Sequence, residues 1–369
     1  MKLNNYISYE WGEAVNIVIN QLDNLIICDK TYEFIPQKYK KLLNFDGAVI
    51  GVNGAYMLGK HDIRPLIENS MLKINIGMNA YDAVMRKPKM IFMTATMEDE
   101  FEADKRTLDE RYGMKMVTFN NFAQAFALGC WFIKDSCVSA NKIYWENWFN
   151  TYNMQARNDA DATLSDGSID VIHLTDSEVQ EAIARMHEVL SYLLPDQSQM
   201  APIERTVSVG TQIWEIDKSI STEGNSFANA LMKLQEARRA GVIATKIDRY
   251  CSLLECLYAI NKMHKKSVAR ITAAYIGKDE AERTEIVQYM EEAYGVRSDS
   301  SHGDNLKYLA SNDSLGLIKL STIVDDYVRR VFRKVLTNES LNYGATANDK
   351  SNTRAYFRNL TLPLYPELK

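Results

Sequence analysis

Two prolines near the middle of the chain, within residues 194–202, separate two stretches with different hydrophobic patterns. Proline lacks a backbone donor and cannot continue a helix, so this polar segment is typical of a boundary between folded parts. Before it, short β-branched runs alternate with helical stretches; after it, apolar residues recur only at helical spacing. The chain is therefore expected to fold as an α+β N-terminal domain followed by an all-α helical bundle.

A chain of 369 residues is too long for one typical core, so two domains are the default expectation. The patterns predict an α+β domain over residues 1–195, a linker over 196–205, a helical bundle over 206–336 and an extended tail over 337–369. The tail is rich in Asn, Thr and Ser and lacks periodicity, so we expect extended chain that packs through Tyr356, Phe357 and Leu364.

Short apolar runs in the first half predict strands, and charged or continuous apolar stretches predict helices. The predicted strands are residues 25–28, 48–52, 90–93, 116–119 and 169–172. The predicted helices are residues 97–112, 121–134 and a third that begins after Thr175 or Asp176 as N-cap and ends near Leu194. Residues 159–168 are small and polar and predict a loop.

Composition limits the possible functions without choosing one. The net charge of −5 argues against a protein that binds polyanions over its whole surface. The five cysteines are scattered and odd in number, which is typical of reduced thiols in a cytosol. The first residues lack the apolar segment of a leader, and no apolar run is long enough to span a bilayer. We therefore expect a cytoplasmic protein with no membrane partner.

Patterns that would indicate a nucleotide or a metal ion are incomplete. Residues 54–60 match the spacing GxxxxGK, but His61 stands where that motif needs Ser or Thr, so a glycine-containing turn is favoured. Residues 159–170 begin like a calcium loop, but Leu164 replaces its glycine, so a solvated loop is favoured. The histidines are too far apart for a zinc motif. No metal and no cofactor is expected.

The most chemically distinctive pattern is Arg297 followed by His302 at the end of a strongly helical stretch. A guanidinium can hold a phosphate and an imidazole titrates near neutrality, so this pair has what metal-free RNA cleavage needs. Gly295 and Gly303 flank the pair and permit another surface to approach. The offset separates the two side chains by about 140° on an ideal helix, so two copies across an interface would form a tight site more easily.

A second basic group follows in a later helix and is composed of Arg329, Arg330, Arg333 and Lys334. Cations in the last turns of a helix interact favourably with its dipole, which is the structural interpretation. As a patch for the RNA backbone the group is plausible but unspecific.

Three blocks of the C-terminal part resemble Apea-like HEPN domains, in that family's order and with comparable separations. Residues 246–257 (KIDRYCSLLECL) are similar to the opening helix, and residues 264–277 (HKKSVARITAAYIG) to the second block. Residues 294–303 (YGVRSDSSHG) are similar to the signature Y-x-x-R-S-x-x-x-H-G. Ser301 departs from the apolar residue that usually precedes the histidine.

The resemblance implies a helical bundle that dimerises so that two such motifs face each other, in a metal-independent endoribonuclease of antiviral or toxin–antitoxin defence. Arg297 would bind the scissile phosphate and His302 would be the general acid or base. Tyr294 and Gly303 flank the motif, and Ser298 and Asp299 would orient the pair or cap a helix.

The resemblance also leaves a second interpretation open, a non-catalytic HEPN module that binds RNA or protein. Regulation of an enzyme in the first half by the bundle is a third possibility, which no motif in that half supports. The N-terminal domain is expected to be a sensor that recognises a viral trigger or an antitoxin, because it lacks a chemical motif yet is large enough to fold alone.

Overall fold

The computed structural model of the protein describes most of the chain. The described residues are 16–35, 45–51, 57–58, 61–62, 67–68, 70–94, 105–147, 153–157, 161–193, 226–261, 264–302, 306–311, 313–341, 343 and 347–368. The chain divides into two compact units, one of residues 1–162 with 169–187 and the other of residues 163–168 with 188–369. The predicted linker at 196–205 lies outside the described residues.

A six-stranded antiparallel sheet in the order β3-β4-β7-β1-β8-β9 is the centre of the first unit. In addition, β2 pairs with β10 in parallel, and β5 pairs with β6 in antiparallel orientation. The strands are β1 (Asn16–Asp23), β2 (Leu25–Ile27), β3 (Tyr32–Glu33), β4 (Phe45–Gly51), β5 (Met57–Leu58), β6 (His61–Asp62), β7 (Lys89–Thr94), β8 (Ser139–Asn147), β9 (Asn153–Arg157) and β10 (Ile172–Leu174).

Helices α1 (Ser70–Ile76), α2 (Met78–Arg86), α3 (Lys105–Ile133) and α4 (Asp176–Leu193) complete this unit, although the last residues of α4 belong to the second. One face of the sheet buries Ile17, Ile19 and Ile91 with residues of α1 and α2 such as Leu72 and Val84. On the opposite face, rings of strands and α3 pack together, with centroids 4.8 Å apart for Phe92–Phe119 and 6.0 Å for Phe119–Trp145.

One strand prediction is wrong because its residues lie in helix α3, which also packs closely against α4. Residues 116–119, predicted to be a strand, lie inside α3, where Met116 and Phe119 are buried one turn apart. At Gly129 an added Cβ would lie 2.3 Å from the carbonyl oxygen of Ala182 in α4, so only glycine permits this approach. Over their described residues, the predictions at residues 25–28, 48–52, 90–93, 121–134 and 176–194 are confirmed, while residues 52 and 194 lie outside the described residues. The predicted strand 169–172 lies instead at 172–174.

The second unit is helical. Its helices are α5 (Ser226–Arg239), α6 (Ile243–Leu257), α7 (His264–Ile276), α8 (Glu280–His302), α9 (Lys307–Ala310), α10 (Ser314–Leu336) and α11 (Ala347–Thr361), followed by a 3-10 turn (Pro366–Leu368). Helix α6 is central and packs against α5, α8 and α10. An α+β part followed by a helical part is therefore confirmed, while the HEPN assignment stays a prediction.

The prediction of an extended tail over 337–369 is wrong, because α11 forms within it. Phe357 is fully buried between Tyr258 and Tyr275, with ring centroids 4.7 and 5.3 Å away. This burial overrides the weak helix propensity of the Asn-, Ser- and Thr-rich sequence. Leu364, predicted to pack, is instead exposed.

Residues 163–168, called loop 163–168 below, belong to the second unit although residues on both sides belong to the first. Thr163 accepts a hydrogen bond from the fully buried Lys246 Nζ at 3.0 Å, and Thr163 N donates to the carbonyl of Arg238 at 2.7 Å. The Ser165 carbonyl accepts from Ser321 Oγ at 2.6 Å. The predicted boundaries, which are consecutive in sequence, contain no such insertion.

Two general expectations can be compared with the structure. Within the described ranges no helix is both long and apolar enough to cross a lipid bilayer. All five cysteines are free thiols, and Cys130, Cys137 and Cys251 are buried.

Candidate active site

Arg297 lies in the last two turns of α8, where two carboxylates of α6 hold its guanidinium. Arg297 Nη1 donates to Glu255 Oε1 at 2.5 Å, and Nη2 donates to Glu255 Oε2 at 3.1 Å. Arg297 Nε donates to Asp248 Oδ1 at 3.2 Å. The arginine side chain keeps 28% of its surface exposed. The guanidinium is therefore fixed in orientation and still accessible from one side.

Asp248 and Glu255 meet the same arginine because they lie on one face of α6. Seven residues separate them, so they point in directions about 20° apart and lie about 10.5 Å apart along the axis. Both residues lie in the block 246–257 that resembles the opening HEPN helix, but the sequence pattern assigned neither of them to the site. Two carboxylates two turns apart, on one face of the same helix, were the signal that could have identified them.

Glu255 is the centre of this polar cluster. Its Oε1 accepts hydrogen bonds from Arg297 and from Tyr294 Oη at 2.8 Å, and lies 3.1 Å from His264 Nδ1. Tyr294 is buried one turn before Arg297, and its ring centroid lies 5.3 Å from the guanidinium carbon. We call Asp248, Glu255, His264, Tyr294 and Arg297 the guanidinium cluster.

Burial and charge act in opposite directions on Arg297. Burial acts to lower the pKa of its guanidinium, but the charge of Glu255, followed by smaller contributions that include Tyr294, raises it overall. Burial raises the pKa of Tyr294, and the neighbouring Cys251 and Glu255 raise it further. Arg297 therefore stays cationic and Tyr294 stays a neutral hydrogen-bond donor at physiological pH.

His302 is the last residue of α8, and its side chain is exposed. As a five-residue offset requires, it leaves the helix about 140° away from Arg297. Arg297 points toward α6, while His302 is directed to solvent. Within the part of the chain that the structure describes, His302 makes no hydrogen bond or ion pair. One chain therefore does not bring the predicted catalytic pair together.

The supporting residues have different surroundings. Ser298 is exposed and Asp299 half-buried, and both lie inside α8 near its C-terminal end. The capping interpretation is wrong for both, because an N-cap lies at the start of a helix. Gly303 lies outside the described residues.

Most side chains of the predicted basic patch bind carboxylates or carbonyl groups of the second unit itself. Arg329 is buried and pairs with Asp325, which is fully buried, at 2.5 Å. Arg330 donates to the carbonyl of Ile276 and to Glu282, both at 2.8 Å. Lys334 donates to the carbonyl of Tyr275 at 2.5 Å. Arg333 is half-buried and also has a partner. The prediction of an RNA contact is therefore wrong for Arg329, because a buried guanidinium cannot reach a polynucleotide.

Among the predicted site residues, Tyr294 and Arg297 thus meet carboxylates of α6, whereas His302, within the described chain, does not. Among the described residues, no group of histidine, cysteine and carboxylate side chains is arranged to hold a metal ion. Comparisons with protein families, curated proteins and solved structures found no match for this chain.

Proposed function

We propose that the protein is a metal-independent endoribonuclease of the HEPN type, active in the cytoplasm as a homodimer. One observation carries this proposal. Arg297 lies on the same helix as the exposed His302. Its guanidinium is held in one orientation by the guanidinium cluster and remains partly exposed. A fixed cation for the phosphate and an accessible imidazole for the proton are what cleavage needs.

The guanidinium can bind a phosphate without leaving Glu255. A guanidinium carries five N–H donors, and three of those of Arg297 are directed to Glu255 and Asp248. The two others, one on each terminal nitrogen, can donate to a phosphate oxygen. Because the carboxylates hold the guanidinium in place beforehand, little reorganisation accompanies the charge that develops on the phosphate in the transition state.

A second copy of the chain would complete the site. Since Arg297 and His302 leave α8 on different faces, a phosphate at Arg297 of one copy is reached more easily by the imidazole of the other. A Cβ added at Gly295 would have no atom within 4 Å, so the surface beside it is open. A partner helix could approach closely there.

The reaction would then proceed by in-line attack. One His302 imidazole takes the proton of the ribose 2′-hydroxyl, whose oxygen forms a bond to phosphorus. The bond from phosphorus to the 5′-oxygen breaks. The leaving oxygen takes a proton from the His302 imidazolium of the other copy, which is the general acid. The products are a 2′,3′-cyclic phosphate and a 5′-hydroxyl. Acid–base help of this kind contributes roughly 10²–10⁴ in rate.

The first unit would regulate this activity. It is a compact unit with its own core, and the resemblance of the second part implies defence against viruses or a toxin–antitoxin role. In that role the first unit would keep the nuclease silent until it meets a viral component, or would be the binding site of an antitoxin.

Cleavage of RNA by the purified protein in excess EDTA tests the proposal. Wild type should cut, whereas Arg297→Ala and His302→Ala should lose at least about 10²-fold in rate. Expression of the same three proteins in cells, scored for growth arrest and RNA integrity, gives a second reading. Full activity of His302→Ala, or a requirement for a divalent metal, would remove the mechanism.

A non-catalytic binding module is the second candidate, and the guanidinium cluster itself favours it. Arg297 is already paired with two carboxylates, which repel a phosphate at this position, so the cluster would be structural and RNA would bind to another surface of the protein. A protein of this kind would bind RNA with a steep salt dependence and leave it uncut at micromolar concentration.

A further inference from the structure

A cavity of about 220 Å³ opens in the second unit where α8 meets α9 and the start of α10. Its charged and aromatic lining residues are Tyr289 and Glu292 of α8, Lys307 and Tyr308 of α9, Asp313 before α10 and Lys319 of α10. None of these residues belongs to the guanidinium cluster. The cavity is below the roughly 300–1,000 Å³ of sites for drug-sized ligands, so it suits a single planar group.

Hydrogen bonding holds the Glu292 carboxylate of the cavity in a fixed position. Tyr308 Oη donates to Glu292 Oε1 at 2.6 Å, and Lys307 Nζ lies 3.5 Å from the same oxygen. Burial raises the pKa of Tyr308, as does its hydrogen bond to Glu292, so its hydroxyl stays a donor. Among the described residues nothing donates to Glu292 Oε2. That oxygen is therefore available to accept hydrogen bonds from a ligand.

The lining also contains a second carboxylate, Asp313, which accepts a hydrogen bond from Gly316 N at 2.8 Å, together with aromatic rings and lysines. Tyr289 and Tyr308 supply rings, and aromatic rings stack on nucleobases. Lys307 is exposed over 79% of its side chain, and Lys319 is also exposed. A ligand that fits all three features combines a flat ring, adjacent N–H donors for a carboxylate and a phosphate for the lysines.

We propose that this cavity binds guanine of a nucleotide. Guanine is the base whose Watson–Crick edge carries N1–H and a 2-amino group side by side. One of them can donate to Glu292 Oε2 and the other to Oε1, where it would replace the 3.5 Å contact of Lys307. Stacking together with hydrogen bonds to this edge is how proteins read unpaired bases of RNA. The flanking phosphate would contact Lys307 or Lys319.

This inference deepens the proposed function. Binding of a guanosine within an RNA strand rests on the proposed ribonuclease activity, whereas binding of a free nucleotide does not. Glu292 precedes His302 by ten residues on the same helix, which corresponds to about 15 Å along the axis. A guanosine bound at Glu292 would therefore select where an RNA strand passes His302. The same chemistry would also bind a free guanine nucleotide, which would then be an effector.

Calorimetric titration of the full chain separates these sources. The ligands are GMP, IMP (which lacks the 2-amino group) and a 2′-O-methyl oligonucleotide with guanosine or inosine at one position, which cannot be cut. The guanine ligand should bind at least about tenfold more tightly than its inosine counterpart. Glu292→Gln should remove most of this difference, whereas Tyr289→Leu should weaken the guanine and the inosine ligand alike, because both bases stack on the ring. Glu285→Gln, which changes an exposed carboxylate of the same helix, should leave the difference unchanged.

Each outcome has a defined meaning. Binding of the oligonucleotide identifies an RNA subsite, and binding of GMP alone identifies a free nucleotide. Equal affinity for guanine and inosine, no binding of either guanine ligand, or full affinity in the folded variants overturns the inference. If one variant does not fold by circular dichroism, the other decides. Because the measurement is binding, a protein that binds GMP but cuts no RNA loses only the nuclease proposal.

Discussion

Glu255 binds Arg297 through both carboxylate oxygens, at 2.5 and 3.1 Å, across 42 residues of sequence. The arginine of the R-x4-H motif is therefore positioned by a helix other than its own. Loss of the Glu255 charge should consequently affect Arg297 in two ways, through stability and through the orientation of the guanidinium.

Glu255→Gln should lower the free energy of unfolding by about 1–3 kcal/mol, since a half-buried guanidinium loses one of its two charged partners. If the nuclease proposal holds, RNA cleavage should also fall by at least about tenfold. Urea denaturation and initial cleavage rates measure the two effects. Glu236→Gln is the control, because Glu236 pairs with Arg249 at 2.9 Å on the surface and should contribute below about 1 kcal/mol. Equal effects of the two substitutions would contradict the special role of Glu255.

Arg329→Met should lower the free energy of unfolding by about 3–5 kcal/mol, because it leaves the fully buried Asp325 without its cation. Asp325 would keep the hydrogen bond from Tyr250 Oη at 2.6 Å, which does not replace the lost charge. Arg358→Met, at an exposed position of α11, should change stability by less than about 0.5 kcal/mol. Thermal or urea unfolding compares them. A stable Arg329→Met protein with weakened RNA binding would restore the predicted RNA contact.

Loop 163–168 should be energetically coupled to α6. Lys246→Met removes donors to Thr163 Oγ1 at 3.0 Å and to the carbonyl of Ala237 at 2.8 Å, and should cost about 1–3 kcal/mol. In a double-mutant cycle with Thr163→Val the two losses should not add, and the coupling should exceed about 0.5 kcal/mol. The cycle of Lys246→Met with Ser168→Ala, at an exposed position of the loop, should be additive.

This coupling bears on deletion experiments. A deletion of the first 195 residues would also remove loop 163–168 from the second unit. Lost activity in such a protein would then reflect a damaged bundle as readily as lost regulation.

Lys89 should make stability depend on pH under alkaline conditions. Burial lowers the pKa of Lys89 to about 8, from an ordinary value of 10.5. Between these two values the unfolded state binds more protons, so stability should rise with pH, by up to about 1.4 kcal/mol per unit. Below about pH 8 both states are protonated and this contribution to the slope vanishes.

Urea denaturation of wild type and Lys89→Met between about pH 7 and 10 measures the effect as a difference in slope. Lys87→Met, which removes a more exposed amine that pairs with Asp23 at 2.7 Å, should keep the wild-type slope. Parallel curves for wild type and Lys89→Met would show that the burial of Lys89 has no such consequence.

The errors of sequence-based prediction have common physical causes. The run 116–119 is apolar and short, and such runs fit a strand or a buried helix equally well. Within α3 its buried positions Met116 and Phe119 lie one turn apart, and Phe119 stacks on Phe92 of β7. Residues 347–361 have low helix propensity, yet they form α11 because Phe357 is buried against residues distant in sequence.

The sequence by itself determined the change from mixed to helical structure and most of the helices of the second half, because hydrophobic periodicity acts locally. It also placed Arg297 and His302 five residues apart on one helix, so their divergence follows from helix geometry. Only the tertiary structure decided that Glu255 and Asp248 hold Arg297, that Arg329 pairs with the buried Asp325, and that loop 163–168 belongs to the helical unit. Each of these depends on contacts between residues far apart in the chain, and local pattern carries no information about which distant groups will meet.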